Sequence, residues 1–230
     1  MSLALSICIS VQNRSRVPSD GRLLEPFPRC VDSLRDAVGA AGIEAELVVA
    51  DFYSTDWPLA EWLGQRAAPL PTWLVEVPGK HSVGLGKNMA AQFAKADALF
   101  FCDADMLVPP DVLARGVRIA ALGLGYFPLY QRFHTIEQVD SYWGAGHGCC
   151  IVSRDYWREH PWLVGYDWGA VSEDSAFADW FIQRGLCIRE QVQGFYHQWH
   201  PLVEAKRLID EAEEAQDAQA AQEAQAEVAP

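Results

Sequence analysis

The stretch ALFFCDADMLVPPDVL, residues 98–113, decides the reading of this chain. Leu99 to Cys102 form a continuous apolar run of strand length, two aspartates follow at its end, and Pro109 and Pro110 open DVLARGVRIA as first-turn residues of a helix. A strand that is apolar on both faces belongs in a parallel sheet covered by helices on both sides. Asp103 and Asp105, one residue apart where water is partly excluded, repel each other unless a cation lies beside them. A hard divalent ion, Mg²⁺ or Mn²⁺, takes carboxylate oxygens on one side and diphosphate oxygens on the other, and neutralises charge that develops on a phosphate leaving group.

The flanking sequence repeats the same alternation. LALSICISV (3–11) is a buried strand that stops at the polar cluster QNRSR. Residues 28–41 place Val31, Leu34, Val38 and Ala41 at helical spacing before Gly42. AELVVADF (45–52) is a second strand, and YSTDWP offers Ser54, Thr55 or Asp56 as a helix cap with Pro58 in the first turn. TWLVEVP (72–78) is a third strand, GKHSVGLGK (79–87) a glycine-bearing loop and NMAAQFAKA (88–96) a helix. This pattern predicts an α/β fold with right-handed βαβ units and a mainly parallel sheet, whose ligands bind beyond the carboxyl ends of the strands. Asn13, Asp51 and the Asp103–Asp105 pair fall at such ends. In the less regular second half, GYFPLY and HGCCIVS read as strands, DYWREHPW as a short helix and VSEDSAFADWFIQRG as a clear helix. LCIREQVQGFYHQWHP supplies one or two further strands.

Composition narrows the function classes. The 230 residues carry a formal net charge of -13, of which about -6 falls in the Ala/Glu/Gln-rich tail 203–230, leaving residues 1–202 as one domain. The tail reads as solvated helix or disorder. An acidic surface disfavours generic nucleic-acid binding, although a local basic groove that includes Arg115, Arg118 and Arg132 is compatible with it. No run approaches the roughly 20 apolar residues of a membrane span, and MSLALSICIS lacks the features of a signal peptide, so a cytoplasmic protein is expected. Six cysteines without CxxC pairs or repeated spacing read as buried free thiols.

Several segments, in order, resemble family 2 glycosyltransferases of the GT-A fold. VVADFYSTD is similar to their second-strand motif, with Phe52 and Tyr53 where Asp-Gly is usual, and ALFFCDADMLVPPDVL to their metal-binding segment. ISVQNRSRV resembles the first strand and loop, GLGKNMAAQFAKA the helix before the metal motif, and GAGHGCCIVSRDYW the acceptor-side glycine-rich segment. WGAVSEDSAFADWFIQRG is similar to the Trp-Gly and Glu-Asp region, with Ala-Val-Ser between its two halves, and FYHQWHP to the terminal histidine region. The Asn-Arg and Glu-Asp dipeptides also resemble those of chondroitin-polymerising and β-1,4-galactosyltransferase-like enzymes.

The resemblance implies a Rossmann-like GT-A domain with helices on both faces of the sheet and a small antiparallel acceptor-side portion. It implies a UDP-sugar donor held by Asn13, Arg14, Asp51, Lys87, Asn88, Asp103 and Asp105, and Mn²⁺ or Mg²⁺ bound by Asp103, Asp105 and His197, with His200 in reserve. Asp174 is then the base, Glu173 its neighbour orienting the acceptor, and Trp143, Gly144, Gly146, His147 and Trp168 the acceptor side. The implied reaction moves a hexose or N-acetylhexosamine to an acceptor hydroxyl with inversion. The acceptor is a glycan or small molecule, or a hydroxymethylated base in DNA. Two alternatives share the acidic strand-end site: a nucleotidyltransferase, which normally has a glycine-rich basic loop where QNRSRVPSDGR stands here, and an inactive nucleotide-sugar-binding domain.

Overall fold

The computed structural model describes residues 3–144, 146–164 and 173–201. Strand β1 (Leu5–Val11) is followed by β2 (Val17–Ser19), β3 (Arg22–Leu24), α1 (Pro26–Ala41), β4 (Ala45–Asp51), α2 (Leu59–Ala67), β5 (Thr72–Glu76), α3 (Val83–Phe93) and β6 (Ala98–Asp103). Then come β7 (Met106–Leu107), α4 (Pro110–Ala121), β8 (Gly125–Tyr126), β9 (Leu129–Phe133), β10 (Ser141–Trp143), β11 (Cys150–Ser153), α5 (Arg154–Glu159), α6 (Glu173–Gln183), β12 (Cys187–Ile188) and β13 (Gln191–His197).

Among the described residues, the central sheet runs β12-β8-β11-β6-β1-β4-β5. Its β6-β1-β4-β5 part is parallel, and β11 pairs antiparallel with both β6 and β8. Period-two alternation splits the side chains of the central strands between two cores. Ile7, Ile9, Leu47, Val49, Phe100 and Cys102 face the side packed by Phe27 and Leu34 of α1, Trp62 of α2 and Leu113 of α4. Cys8, Val48, Leu99 and Phe101 face Ala90 and Ala91 of α3, Trp157 of α5, and Phe177 and Phe181 of α6. The sheet therefore has helices on both faces, as the strand pattern requires. One buried charge is built into it: Glu46 accepts from the Ser6 hydroxyl, the Trp73 indole and the Lys95 backbone N–H, which satisfies its carboxylate.

A second sheet, β10-β9-β13-β7, is mixed, with β10–β9 and β13–β7 antiparallel and β13–β9 parallel, and brings distant segments together. Pairing of β13 with β7 sets His197 opposite Met106, one residue from Asp105.

Local chemistry explains where elements begin. Gly42 caps α1 in the left-handed conformation with φ 62°. Ser82 caps α3, so the helix starts inside GKHSVGLGK instead of after it. At α2 the expected caps do other work: Pro58 itself precedes the helix, while Asp56 accepts from the Arg16 and Trp57 backbone N–H groups. The β2–β3 hairpin starts within the QNRSRVPSDGR stretch and ends at Leu24. All six cysteines are free, five of them buried. Among the described residues no helix is long and apolar enough to cross a membrane.

Candidate active site

Three parallel strands deliver the first set of residues at their carboxyl ends. Beyond β1 and β4, Asn13 and the 51–55 loop are laced together. The Asn13 N–H donates to Ser54 Oγ at 3.0 Å, and its side-chain oxygen accepts from the Thr55 N–H at 2.8 Å. Asp51 Oδ1 accepts from both the N–H and the hydroxyl of Ser54, at 3.0 and 2.6 Å. Gln12 Nε2 adds a bond to the Phe52 carbonyl. Arg14 lies beside this lacing, its guanidinium 3.5 Å from the Asn13 carbonyl. Asn13 and Tyr53 both hold positive φ, 50° and 54°, which is a strained conformation for a tyrosine. Tyr53 stands exposed where the resemblance places glycine, and the backbone keeps the glycine-like conformation.

At the end of β6, Asp103 turns toward Lys87. The Lys87 ammonium lies 3.0 Å from Asp103 Oδ1 and 3.7 Å from Asp174 Oδ1, and donates to the Gly148 carbonyl at 2.7 Å. It also sits 4.2 Å above the Trp162 ring. Lys87, expected to contact the donor, is 0% exposed and packs among these four protein groups. Asn88 is likewise turned inward. Its amide donates to the Trp162 carbonyl, and its oxygen accepts from the Trp162 N–H and the Trp157 indole, so it fastens the α5 region to α3.

Asp174 sits in the first turn of α6, where the helix N-terminus favours carboxylates, next to Glu173. Burial, more than any neighbour, raises its pKa to about 6; Lys87 opposes the shift, while Asp103 and Glu173 add to it. Asp103 and Asp174 converge on Gly148. A Cβ there would lie 2.7 Å from Asp103 Oδ2 and 3.0 Å from Asp174 Oδ2, so a larger residue would push the two carboxylate ends aside.

Asp105, 8% exposed, faces His197 with Oδ1 3.5 Å from Nε2, and its carbonyl accepts from the Gln198 N–H. The His197 ring stacks on Tyr130, centroids 6.1 Å apart. Gln198, 1% exposed, also donates to the Pro26 carbonyl and so pins the end of β13. A carboxylate and an imidazole side by side, with a second carboxylate one residue away in sequence, form an oxygen-and-nitrogen donor set that fits Mn²⁺. A second unit begins at His200; its described part is His200 and Pro201, with His200 Nδ1 3.0 Å from the Pro201 carbonyl.

On the remaining side, Trp143 stands partly exposed at the end of β10, and Gly144 bonds back to the Tyr130 carbonyl. Gly146 packs so closely on the Tyr130 hydroxyl that a side chain there would collide with it. His147 Nε2 lies 2.6 Å from Arg189 Nη1. Burial and that guanidinium lower the His147 pKa, so the imidazole is neutral and accepts. Trp168 and the tail 203–230 lie outside the described residues. Sequence reasoning passed over Gly148, Gln198 and Tyr130. Gly148 was visible as the third glycine of GAGHG, whereas the other two acquire their roles only through β13.

No protein-family profile and no curated protein sequence matches this chain. Solved structures do match. The crystal structure of S. aureus TarS 1-349 in complex with UDP-GlcNAc aligns with a TM-score of 0.64 at 12% identity, over 86% of this chain and 59% of that one. The mannosyltransferase PcManGT from Pyrobaculum calidifontis, in complex with GDP-Man and Mn2+, aligns at 0.58 and 19% identity, over 85% and 56%. Glucosyl-3-phosphoglycerate synthase from Mycobacterium tuberculosis, with Mn2+ and UDP-glucose, aligns at 0.57 and 17%, over 86% and 72%. At these identities the likeness establishes the architecture: the chain has the GT-A fold of glycosyltransferases. It spans about three fifths of the TarS 1-349 chain and 37% of the longer TarS structure.

Proposed function

We propose that this protein is a metal-dependent glycosyltransferase that moves a hexose or N-acetylhexosamine from a UDP-sugar to an acceptor hydroxyl with inversion. The observation that carries the reading is the meeting of Asp103 and Asp174 over Gly148, with Asp105 against His197. A strand-end carboxylate pair and a separate carboxylate with a pKa of about 6 thus share one site.

In this reading Asn13, Arg14 and Asp51 hold the uridine, with the Asp51–Ser54 bonds fixing the carboxylate that meets the base. Asp103, Asp105 and His197 hold Mn²⁺ or Mg²⁺, and His200 is the alternative imidazole ligand. When bound, the metal supplies charge neutralisation at the departing diphosphate. Asp174 takes the proton of the acceptor hydroxyl as that oxygen attacks the anomeric carbon from the face opposite the diphosphate. A carboxyl poised near pH 6 is ionised at neutral pH and still basic enough for that transfer. Glu173 orients the acceptor, and Trp143 offers it a flat apolar face, with Gly144, Gly146, His147 and Trp168 completing that side. The favoured acceptor is a glycan or small molecule.

The test is calorimetric titration of UDP with Mn²⁺, with and without chelator, on wild type and Asp105→Ala. Metal-dependent binding that the substitution abolishes is expected. A wild type that binds no UDP under any of these conditions would remove the uridine donor from the reading.

A further inference from the structure

Lys87 is the most deeply buried ionised group of the site, and its surroundings account for all of its charge. A buried ammonium is stable only when charge partners and hydrogen-bond acceptors replace its water. Here the acceptors are the Gly148 carbonyl at 2.7 Å and Asp103 at 3.0 Å, with Asp174 at 3.7 Å as the further charge partner and the Trp162 face at 4.2 Å. The two carboxylates come from β6 and α6, elements far apart in sequence, and Lys87 reaches them from α3. Gly148 lies under both, lending its carbonyl to the ammonium and its missing side chain to the carboxylates.

We propose that Lys87 is a positioning residue: a fixed internal counter-ion that, together with Gly148, holds Asp103 and Asp174 in one geometry and makes their negative charge compatible with an anionic diphosphate. It acts through the two carboxylates and never touches the donor. The inference rests on the donor reading above and deepens it, since it explains how a site with Asp103, Asp105, Glu173 and Asp174 accepts a nucleoside diphosphate.

An internal counter-ion affects the two ligands in opposite senses. Removing the ammonium leaves the carboxylates unneutralised, which repels diphosphate but does not repel a divalent cation. A side chain that served packing alone would move both affinities together or neither. Three proteins, wild type, Lys87→Met and Gly148→Ala, are titrated with Mn²⁺ alone and with UDP plus Mn²⁺, and their thermal unfolding is recorded. For Lys87→Met, UDP affinity in the presence of Mn²⁺ is expected to fall about tenfold or more, while Mn²⁺ alone binds as tightly as to wild type or more tightly. Equal affinities for both ligands in Lys87→Met and wild type would overturn the proposal.

If Lys87→Met loses both affinities together with its folded state, Gly148→Ala decides. That substitution keeps the charge and an ordinary backbone conformation, yet forces the carboxylates apart. A folded Gly148→Ala protein whose UDP affinity drops fivefold or more supports the inference, and one that binds like wild type defeats it. A wild type that binds no UDP defeats the donor reading itself, whereas a binding wild type matched by both variants defeats only the role of Lys87.

Discussion

The β1–β4 end of the site and the Asp103–Asp174 end are fastened by different means. Asn13, Asp51, Ser54 and Thr55 are knitted by short hydrogen bonds within and between the loops that leave two adjacent parallel strands. Asp103 and Asp174 face each other across a glycine and share one buried ammonium. The first arrangement is redundant, so losing one bond leaves others. The second concentrates its charge balance in a single group, and such sites are strongly non-additive. In the proposed function, rigid recognition of a base and a charge-balanced reaction centre call for these two constructions in turn.

The largest effect that sharpens the contrast is expected at the reaction centre. Asp174→Asn should lower the turnover of UDP-sugar about 10³-fold, measured as UDP release in the presence of acceptor, with UDP binding little changed. Retention of activity within tenfold would exclude Asp174 as the base. Wild-type turnover should also fall as pH drops below about 6, because the proton acceptor is then a carboxylic acid. Next in size, Asp105→Ala should weaken Mn²⁺-dependent UDP binding on the order of 100-fold. At the laced end, Ser54→Ala should cost only about 1–2 kcal/mol of stability and about tenfold in UDP affinity, since Asn13 and Gln12 still hold the loop. A collapse of that loop in Ser54→Ala would show that its hydrogen bonds are not redundant.

Stability provides a subtler check. The folded-state pKa of Asp174, about 6, lies above the ordinary aspartate value of about 3.9, so the folded state binds the proton more tightly than the unfolded chain does. Its contribution is therefore present at low pH and lost as pH rises through 6. The metal-free Asp174→Asn protein should melt a few degrees higher than wild type at pH 7.5. That corresponds to on the order of 1–2 kcal/mol once the solvent-open third of the side chain is allowed for, and the gain should vanish near pH 4. Smallest of all, Tyr53→Gly should stabilise by about 0.5 kcal/mol, as relief of the left-handed tyrosine outweighs glycine's greater unfolded entropy. A destabilised Tyr53→Gly protein would show that the ring packs where the backbone strain suggests it does not.

Much of the fold was legible because it is local. Apolar runs of strand length at β1, β4 and β6, each followed by a helix with a proline or glycine at its boundary, announce parallel βαβ units without reference to any distant residue. Among the short strands β7 was not legible: it has two residues, too few to show a period, and exists only through its partner β13. The same limit explains the α3 boundary, where Gly84 and Gly86 suggested a loop. Gly84 and Gly86 instead let the helix lie against the Leu163 carbonyl and Ser10.

For the site, sequence order was enough to nominate Asp51, Asp103 and Asp105, since strand ends of a parallel sheet converge on one edge. It did not orient Lys87 and Asn88. Both lie on a helix next to the motif, and whether such residues face a ligand or the interior depends on what packs over them, here Trp157 and Trp162 on the same face of the sheet.

By itself the sequence determined the alternation of strands and helices, the acidic strand end and the absence of a cysteine framework, because these depend on hydrophobic periodicity and short-range chemistry. Only the tertiary structure decided that Asp174 meets Asp103 over Gly148, that His197 returns to Asp105 along β13, and that Lys87 serves the carboxylates from inside. Most of those relations join residues distant in the chain, about 70 to 90 positions for Asp103–Asp174, Lys87–Asp174 and Asp105–His197, and it is the pairing of strands and the cost of burying an unpaired charge that bring them to their distances.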